Sequence, residues 1–104
     1  MPRSLGITTL KIMAAIREGG AYGLEIVART GLASGTVYPA LGRLKEAGLV
    51  LGRWEDQRIA EREGRPRRRY YELTPVGLTR LTEGTARIVE AAATLDPSVL
   101  GDAV

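Results

Sequence analysis

Apolar residues recur along this chain at two periods, and the change of period marks where one kind of structure gives way to another. Between residues 34 and 48, Val37, Leu41 and Leu44 stand at i, i+4 and i+7, one face of a 3.6-residue helix. The opposite face carries Gly35, Pro39, Gly42, Arg43 and Glu46, with Thr36 and Tyr38 on its flanks. A helix buried all round would not set a tyrosine, a threonine and an arginine about its outer side. The pattern predicts a helix that packs on its aliphatics and offers the rest to a major groove.

The preceding sequence supplies helices for it to pack on. Residues 5–17 read as a first helix, with Ile7, Leu10 and Ala14 on one stripe broadened by Ile12, Met13 and Ile16. So wide an apolar arc predicts two packed neighbours. Glu18-Gly19-Gly20 ends it, the glycines being suited to a C-cap. Residues 21–30 predict a second helix with Tyr22, Ile26 and Val27 inward, broken by Gly31. A short helix, the turn Gly31-Leu32-Ala33 and an amphipathic helix make a helix-turn-helix pattern, which any pair of packed helices also resembles.

Pro39 bears on where the third helix starts. Capped by Ser34, the helix has Pro39 as its fifth residue and lacks the bond to the Gly35 carbonyl, at a cost approaching ~3 kcal/mol. Capped by Thr36, it has Pro39 third, where no partner is needed. This favours a start near Thr36 or a loosened first turn at Ser34-Gly35, with free N–H groups suited to a phosphate.

After Gly48 the period falls to two. Residues 49–55 (LVLGRWE) and 69–74 (RYYELT) predict two antiparallel strands, with Tyr71 and Leu73 on one side and Tyr70 and Glu72 on the other. The intervening residues 56–68, DQRIAEREGRPRR, are too polar to be buried and are expected to form a loop tipped by Gly64 and Pro66. A hairpin following a helix-turn-helix makes that loop a wing. Its second half, RPRRR, has no acid, so Arg65, Arg67, Arg68 and Arg69 are assigned to the DNA backbone or minor groove. Its first half is expected to be a solvated loop held by its own Arg–Glu pairs. Trp54 is expected to pack under the hairpin, with stacking on an effector, in a cleft between head and C-terminal helix, as the alternative.

Thr74-Pro75 suits a helix start. Leu78, Leu81, Thr85, Ile88, Ala92 and Leu95 then recur at a heptad-like 3, 4, 3, 4, 3, the seam of a helix that packs on another helix. Gly77 and Gly84 each cost ~1 kcal/mol relative to alanine, which burial of the leucines offsets. Such a helix, ~30 Å long, outreaches a small head, so its far half is assigned to a second subunit through Leu78, Leu81, Ile88, Ala92 and Leu95. The alternative is that it folds back on its own first helix. Pro97 is expected to stop it and residues 98–104 to fray.

Whole-chain properties narrow the function. With 104 residues, one modest core is possible. No apolar run approaches a membrane span, and no signal-peptide block opens the chain, so a cytoplasmic protein is expected. There is no cysteine and no histidine, and the only serines are Ser4, Ser34 and Ser98. No nucleophile–base pair, metal site or cofactor site is expected. The net charge of +3 divides into +5 over residues 1–75 and −2 beyond, a basic head suited to a polyanion.

In sum of motifs, the chain resembles the PadR family of transcriptional regulators. Tyr22-Gly23-Leu24-Glu25-Ile26 is similar to the family's start of helix two, and Gly35-Thr36-Val37-Tyr38-Pro39-Ala40-Leu41 with Leu44 to its recognition helix. Gly64-Arg65-Pro66-Arg67-Arg68, Tyr70-Tyr71 and Leu73-Thr74-Pro75 with Gly77 resemble its wing, strand and final helix start. The resemblance implies a winged-helix dimer that binds operator DNA, usually as a repressor, in many members released by a small molecule. It makes Thr36, Tyr38 and Pro39 groove contacts and the wing arginines backbone contacts. Members often carry a basic or polar pair where this chain has Gly42-Arg43, and the final helix here is short, as in the smaller subgroup.

The expected architecture is therefore mainly α with a small β-hairpin: a winged helix-turn-helix head over residues 1–74 and a dimerisation helix over 75–97. The expected DNA contacts are Ser34, Gly35, Thr36, Tyr38, Pro39, Arg43, Lys45, Arg65, Arg67 and Arg68. The alternative is a winged-helix adaptor for a protein partner, against which the acid-free RPRRR run argues, since interface cores are depleted in charge.

Overall fold

A computed structural model describes residues 4–19, 21–96 and 98. Along the chain come α1 (Ile7–Arg17), α2 (Gly23–Thr30), α3 (Ser34–Glu46), β1 (Val50–Trp54), α4 (Gln57–Glu63), β2 (Arg69–Leu73) and α5 (Pro75–Leu95). This is a winged helix-turn-helix: among the described residues, the four helices and the hairpin that the periods predict, with one further helix, α4, between the strands.

α1 is the central element. Leu10, Ile12, Met13, Ala15 and Ile16 are buried, and the helix touches α2, β2 and α5. Only Ile7 departs from the expected stripe, standing 58% exposed on the first turn. Ile26 of α2 and Val37, Ala40, Leu41 and Leu44 of α3 close the same core. The glycines expected to end α1 do not cap it: Glu18 does, in αR geometry, and Gly20 lies outside the described residues.

α2 starts two residues later than its apolar pattern suggests. Ala21 and Tyr22 are extended and join the hairpin instead: Tyr71 N–H donates to the Ala21 carbonyl at 3.0 Å, and Tyr22 bridges antiparallel to Tyr70. An edge of sheet thus ties the helix pair to the wing. Gly31, at φ 71°, caps the far end of α2, in the left-handed region where glycine carries no Cβ penalty.

α3 begins earlier than the proline argument favours. Its N-cap is Ala33, without a side-chain cap, and the Thr36 and Val37 N–H groups both donate to the Ala33 carbonyl (2.9 and 3.0 Å). Neither Ser34 nor Thr36 caps, and Pro39 is the sixth helical residue. The Gly35 carbonyl that loses its donor lies on an exposed residue, where water can satisfy it, while four buried side chains hold the helix from the other side.

β1 and β2 pair antiparallel with Val50 opposite Leu73, Gly52 opposite Tyr71 and Trp54 opposite Arg69. The residues between them contain a helix where a loop was expected. Asp56 caps α4 by accepting from Arg58 N–H at 2.9 Å, and Gly64 ends it at φ 66°. Ala60 is 1% exposed and is the buried anchor of this seven-residue helix.

Thr74 caps α5 as expected, accepting from Gly77 N–H at 2.9 Å, and its hydroxyl donates to the Gly48 carbonyl at 2.7 Å. α5 then folds back across α1, the arrangement held as the alternative above. Leu81 is 1% exposed and Gly84 is buried against Leu10, so Leu81 belongs to the chain's own core and is not free for a second subunit. Ile88 is half-buried on the same core. The two glycines at the seam are there because α5 comes close: a Cβ on Gly77 would lie 2.0 Å from the Leu49 carbonyl oxygen. Pro97 and residues 99–104, assigned to the helix stop and a frayed tail, lie outside the described residues.

Candidate nucleic-acid interface

The inward aliphatics of α3 decide what its outer side presents. Ser34, Gly35, Thr36, Tyr38, Pro39, Arg43 and Lys45 are all exposed. Helical spacing sets Thr36, Pro39 and Arg43 in one row and Ser34, Tyr38 and Lys45 in another. Tyr38 is fixed by its neighbour: its ring lies over Gly23, where a Cβ would come within 2.5 Å of the ring. Glycine at position 23 therefore lets a half-exposed tyrosine lie flat across the start of α2.

The wing holds its arginines in three different ways. Arg65 is clamped: Nη2 donates to Glu55 Oε2 at 3.1 Å, Nη1 to Glu55 Oε1, and Nε to Glu63 Oε2 at 2.8 Å. Glu55 also accepts from Arg68 N–H at 3.0 Å. The Arg65 hydrogen bonds hold the Glu55 carboxyl below its ordinary value of 4.5, against the opposing effect of burial, with further lowering from the Arg68 N–H and the nearby positive charges. The same bonds push the Arg65 guanidinium upward. Arg65 is thus engaged with two carboxylates, and its first role is to brace the wing.

Arg68 lies over the Tyr22 ring, 4.0 Å from its centroid, and a hydrogen bond with Tyr70 raises its pKa. Tyr22 and Tyr70 meet edge to face at 5.6 Å. Arg67 is exposed and stands 5.0 Å over Trp54, with Arg69 at 5.4 Å. Trp54 itself is 51% exposed. It does not pack under the hairpin, because β1 has run past the core by its last residues; it serves as a surface for two guanidinium groups.

These parts converge. Tyr38, Arg67 and Arg68 line one cleft of about 580 Å³ together with Tyr22, Leu24 and Trp54, between the side of α3 and the wing. Thr36, Pro39, Arg43 and Lys45 stand outside it on the free face of α3. Sequence reasoning overlooked Glu55 and Tyr22. Glu55 lies next in register beyond the Trp54–Arg69 pair, and Tyr22 becomes a wing residue only through its bridge to Tyr70.

Residues 12–83 match the family described as Transcriptional regulator PadR-like family, well over half of the chain. The chain belongs to the PadR-like family of transcriptional regulators. A PadR-like transcription factor from Bacteroides fragilis is similar at 29% identity over 88% of each chain, with a TM-score of 0.73. A Streptococcus mutans protein is 26% identical over 97% of this chain and 95% of its own, with a TM-score of 0.75. Bacillus subtilis PadR, solved in complex with operator DNA, shares the fold at 20% identity and a TM-score of 0.64, over 75% of this chain and 47% of its own. No curated protein matches. Among the described residues, no helix is long and apolar enough to cross a membrane.

The clamp makes a prediction of its own. Glu55→Ala should raise amide exchange at residues 64–68 by about tenfold or more and leave the α1 and α3 amides unchanged, read by hydrogen-exchange mass spectrometry. A depressed carboxyl stabilises above its unfolded pKa, so wild-type protection of the wing should hold at pH 5–7 and fade only as pH falls below about 4.5. Uniform exchange in both proteins would mean that the clamp orders nothing.

Proposed function

We propose that this PadR-like regulator is a dimeric, sequence-specific repressor that reads the major groove with α3, grips the backbone or minor groove with its wing, and is released by a small molecule. The observation that carries the reading is the polarity of α3. Four aliphatic side chains face the core, and the hydroxyls of Thr36 and Tyr38, with the cations Arg43 and Lys45, face outward. Thr36 and Tyr38 reach base edges or a thymine methyl, Pro39 stiffens the approach, and Ser34 and Gly35 offer first-turn N–H groups to phosphate. Arg67 takes the backbone contact, with Arg68 lying beside it against Tyr22 and Arg65 bracing the wing from behind. The operator-bound Bacillus subtilis PadR supports DNA as the partner of this fold.

The dimer is proposed through the outer side of α5. Leu78, Val89 and Leu95 are 46%, 48% and 86% exposed, and Ala92 is half-buried beside them. A 21-residue helix with these apolar groups beyond its own core has surface left for a twin.

The test is a gel-shift comparison on the chain's own promoter. Thr36→Ala should cut discrimination against a mismatched site by roughly tenfold or more, whereas Arg67→Ala should weaken all sequences alike. The reverse pattern, or no binding to that promoter, would overturn the reading.

A further inference from the structure

We propose that Gly23 is a positioning residue for DNA recognition: it seats the Tyr38 ring in one orientation and, through that ring, sets the affinity for the operator. The first half concerns the free protein; the second rests on the function proposed above.

Nothing in the backbone asks for glycine at position 23. It is the first residue of α2, and among the described residues only Gly31, Gly48 and Gly64 have a positive φ. Alanine would favour the helix. Nor is the position open, for Gly23 is buried. What fills the space is the hydroxyl-bearing end of Tyr38. A Cβ at position 23 would stand 2.5 Å from both Cε1 and Oη of that ring and 2.7 Å from Cζ. At Gly35 or Gly42, on α3 itself, a Cβ would meet nothing within 4 Å.

Tyr38 is otherwise lightly held. Tyr22 and Tyr70 meet edge to face and Arg68 lies over Tyr22, but Tyr38 shares in neither contact. It is 45% exposed, and the cleft beside it has room of about 580 Å³. A ring with space on its free side yields when pushed. Alanine at position 23 would therefore unseat Tyr38 at little cost to the fold, unlike alanine at position 77, which would meet the Leu49 backbone.

The cost falls on binding instead. A tyrosine already seated when the duplex arrives has little rotamer freedom left to lose, whereas an unseated one must be ordered at the interface. Gly23 thus acts on DNA through a neighbour while lying buried itself.

The test begins with the free, full chain. NMR should show Overhauser contacts between the Gly23 α-protons and the Tyr38 ring. Gly23→Ala should move the Tyr38 ring signals and leave the melting temperature within about 3 °C of wild type. Missing contacts, or unmoved ring signals, would overturn the seating. A larger fall in melting temperature would mean that Gly23 holds the fold and not the ring, and would overturn it too.

Anisotropy on a labelled promoter duplex then tests the second half. Gly23→Ala should weaken binding about fivefold. In a Tyr38→Ala background the same substitution should change affinity less than about twofold, because no ring remains to be displaced. Equal losses in the two backgrounds, or no loss in the presence of Tyr38, would overturn the positioning role. A chain that shows the NMR pattern but binds no DNA would uphold the seating and remove the proposed function, and with it the second half.

Discussion

Gly77→Ala should lower the melting temperature by about 10 °C or more, while the same substitution at Gly42 should raise it by a few degrees. Alanine is better than glycine in a helix by ~1 kcal/mol, and on propensity alone both changes would stabilise. The surroundings reverse the sign at one of them. The added Cβ at position 77 would stand 2.0 Å from the Leu49 oxygen and 2.9 Å from its carbonyl carbon, and both are backbone. That carbonyl also accepts from Thr74 N–H at 3.1 Å, and the Thr74 hydroxyl is bonded to Gly48, so neither side of the contact has room to withdraw. Overpacking against so fixed a neighbour costs ~3 kcal/mol or more. A net loss of ~2 kcal/mol corresponds to about 10 °C in a domain of this size.

At Gly42, on the exposed side of α3, a Cβ meets nothing within 4 Å. Gly84→Ala should fall between the two, because its nearest neighbour is the Leu10 Cδ2 at 2.7 Å, the far end of a side chain that can turn aside. Thermal melts followed by circular dichroism order the three. A Gly77→Ala protein that melts with the wild type would mean that α5 does not enter against the Leu49 carbonyl.

This contact also shows where sequence patterning stops. The seam on α5 is legible in the spacing of Leu78, Leu81 and Ile88, but spacing does not say which surface meets it. The close approach at Gly77 and Gly84 turns α5 onto α1 and assigns Leu81 to the chain's own core, leaving Leu78, Val89 and Leu95 outside. α3 was legible because its inward and outward residues differ in kind as well as in period. α4 was not, because a seven-residue helix with one buried side chain, Ala60, is specified by its ends, Asp56 and Gly64, inside a run of charges that resembles a loop. The Glu55–Arg65 clamp joins residues ten apart across the hairpin, and no local pattern announces it. Trp54 was misplaced for a related reason: an alternating strand predicts which side a residue takes, not that the strand has outrun the core beneath it.

The affinity for operator DNA should fall by about 10³ between 50 and 200 mM salt. The expected phosphate contacts in one head are Arg43, Lys45 and Arg67, exposed cations without an ion pair among the described residues. Arg65 is left out because two carboxylates already neutralise it, and Arg68 because it lies against Tyr22 with a hydrogen bond to Tyr70. Two heads then engage about six phosphates, a slope near −5 in log affinity against log salt, and a fourfold rise in salt multiplies through to three decades. The slope also counts subunits. A single head would give about half of it and lose only some fortyfold over the same range. Arg67→Ala in a dimer removes two contacts and should flatten the slope by nearly 2, whereas Thr36→Ala should leave it unchanged while lowering affinity for the cognate site. Fluorescence anisotropy on a labelled promoter duplex across the salt series measures all of these. A slope near zero would mean that the outward cations of α3 and the wing do not meet phosphate at all, whatever else the helix presents.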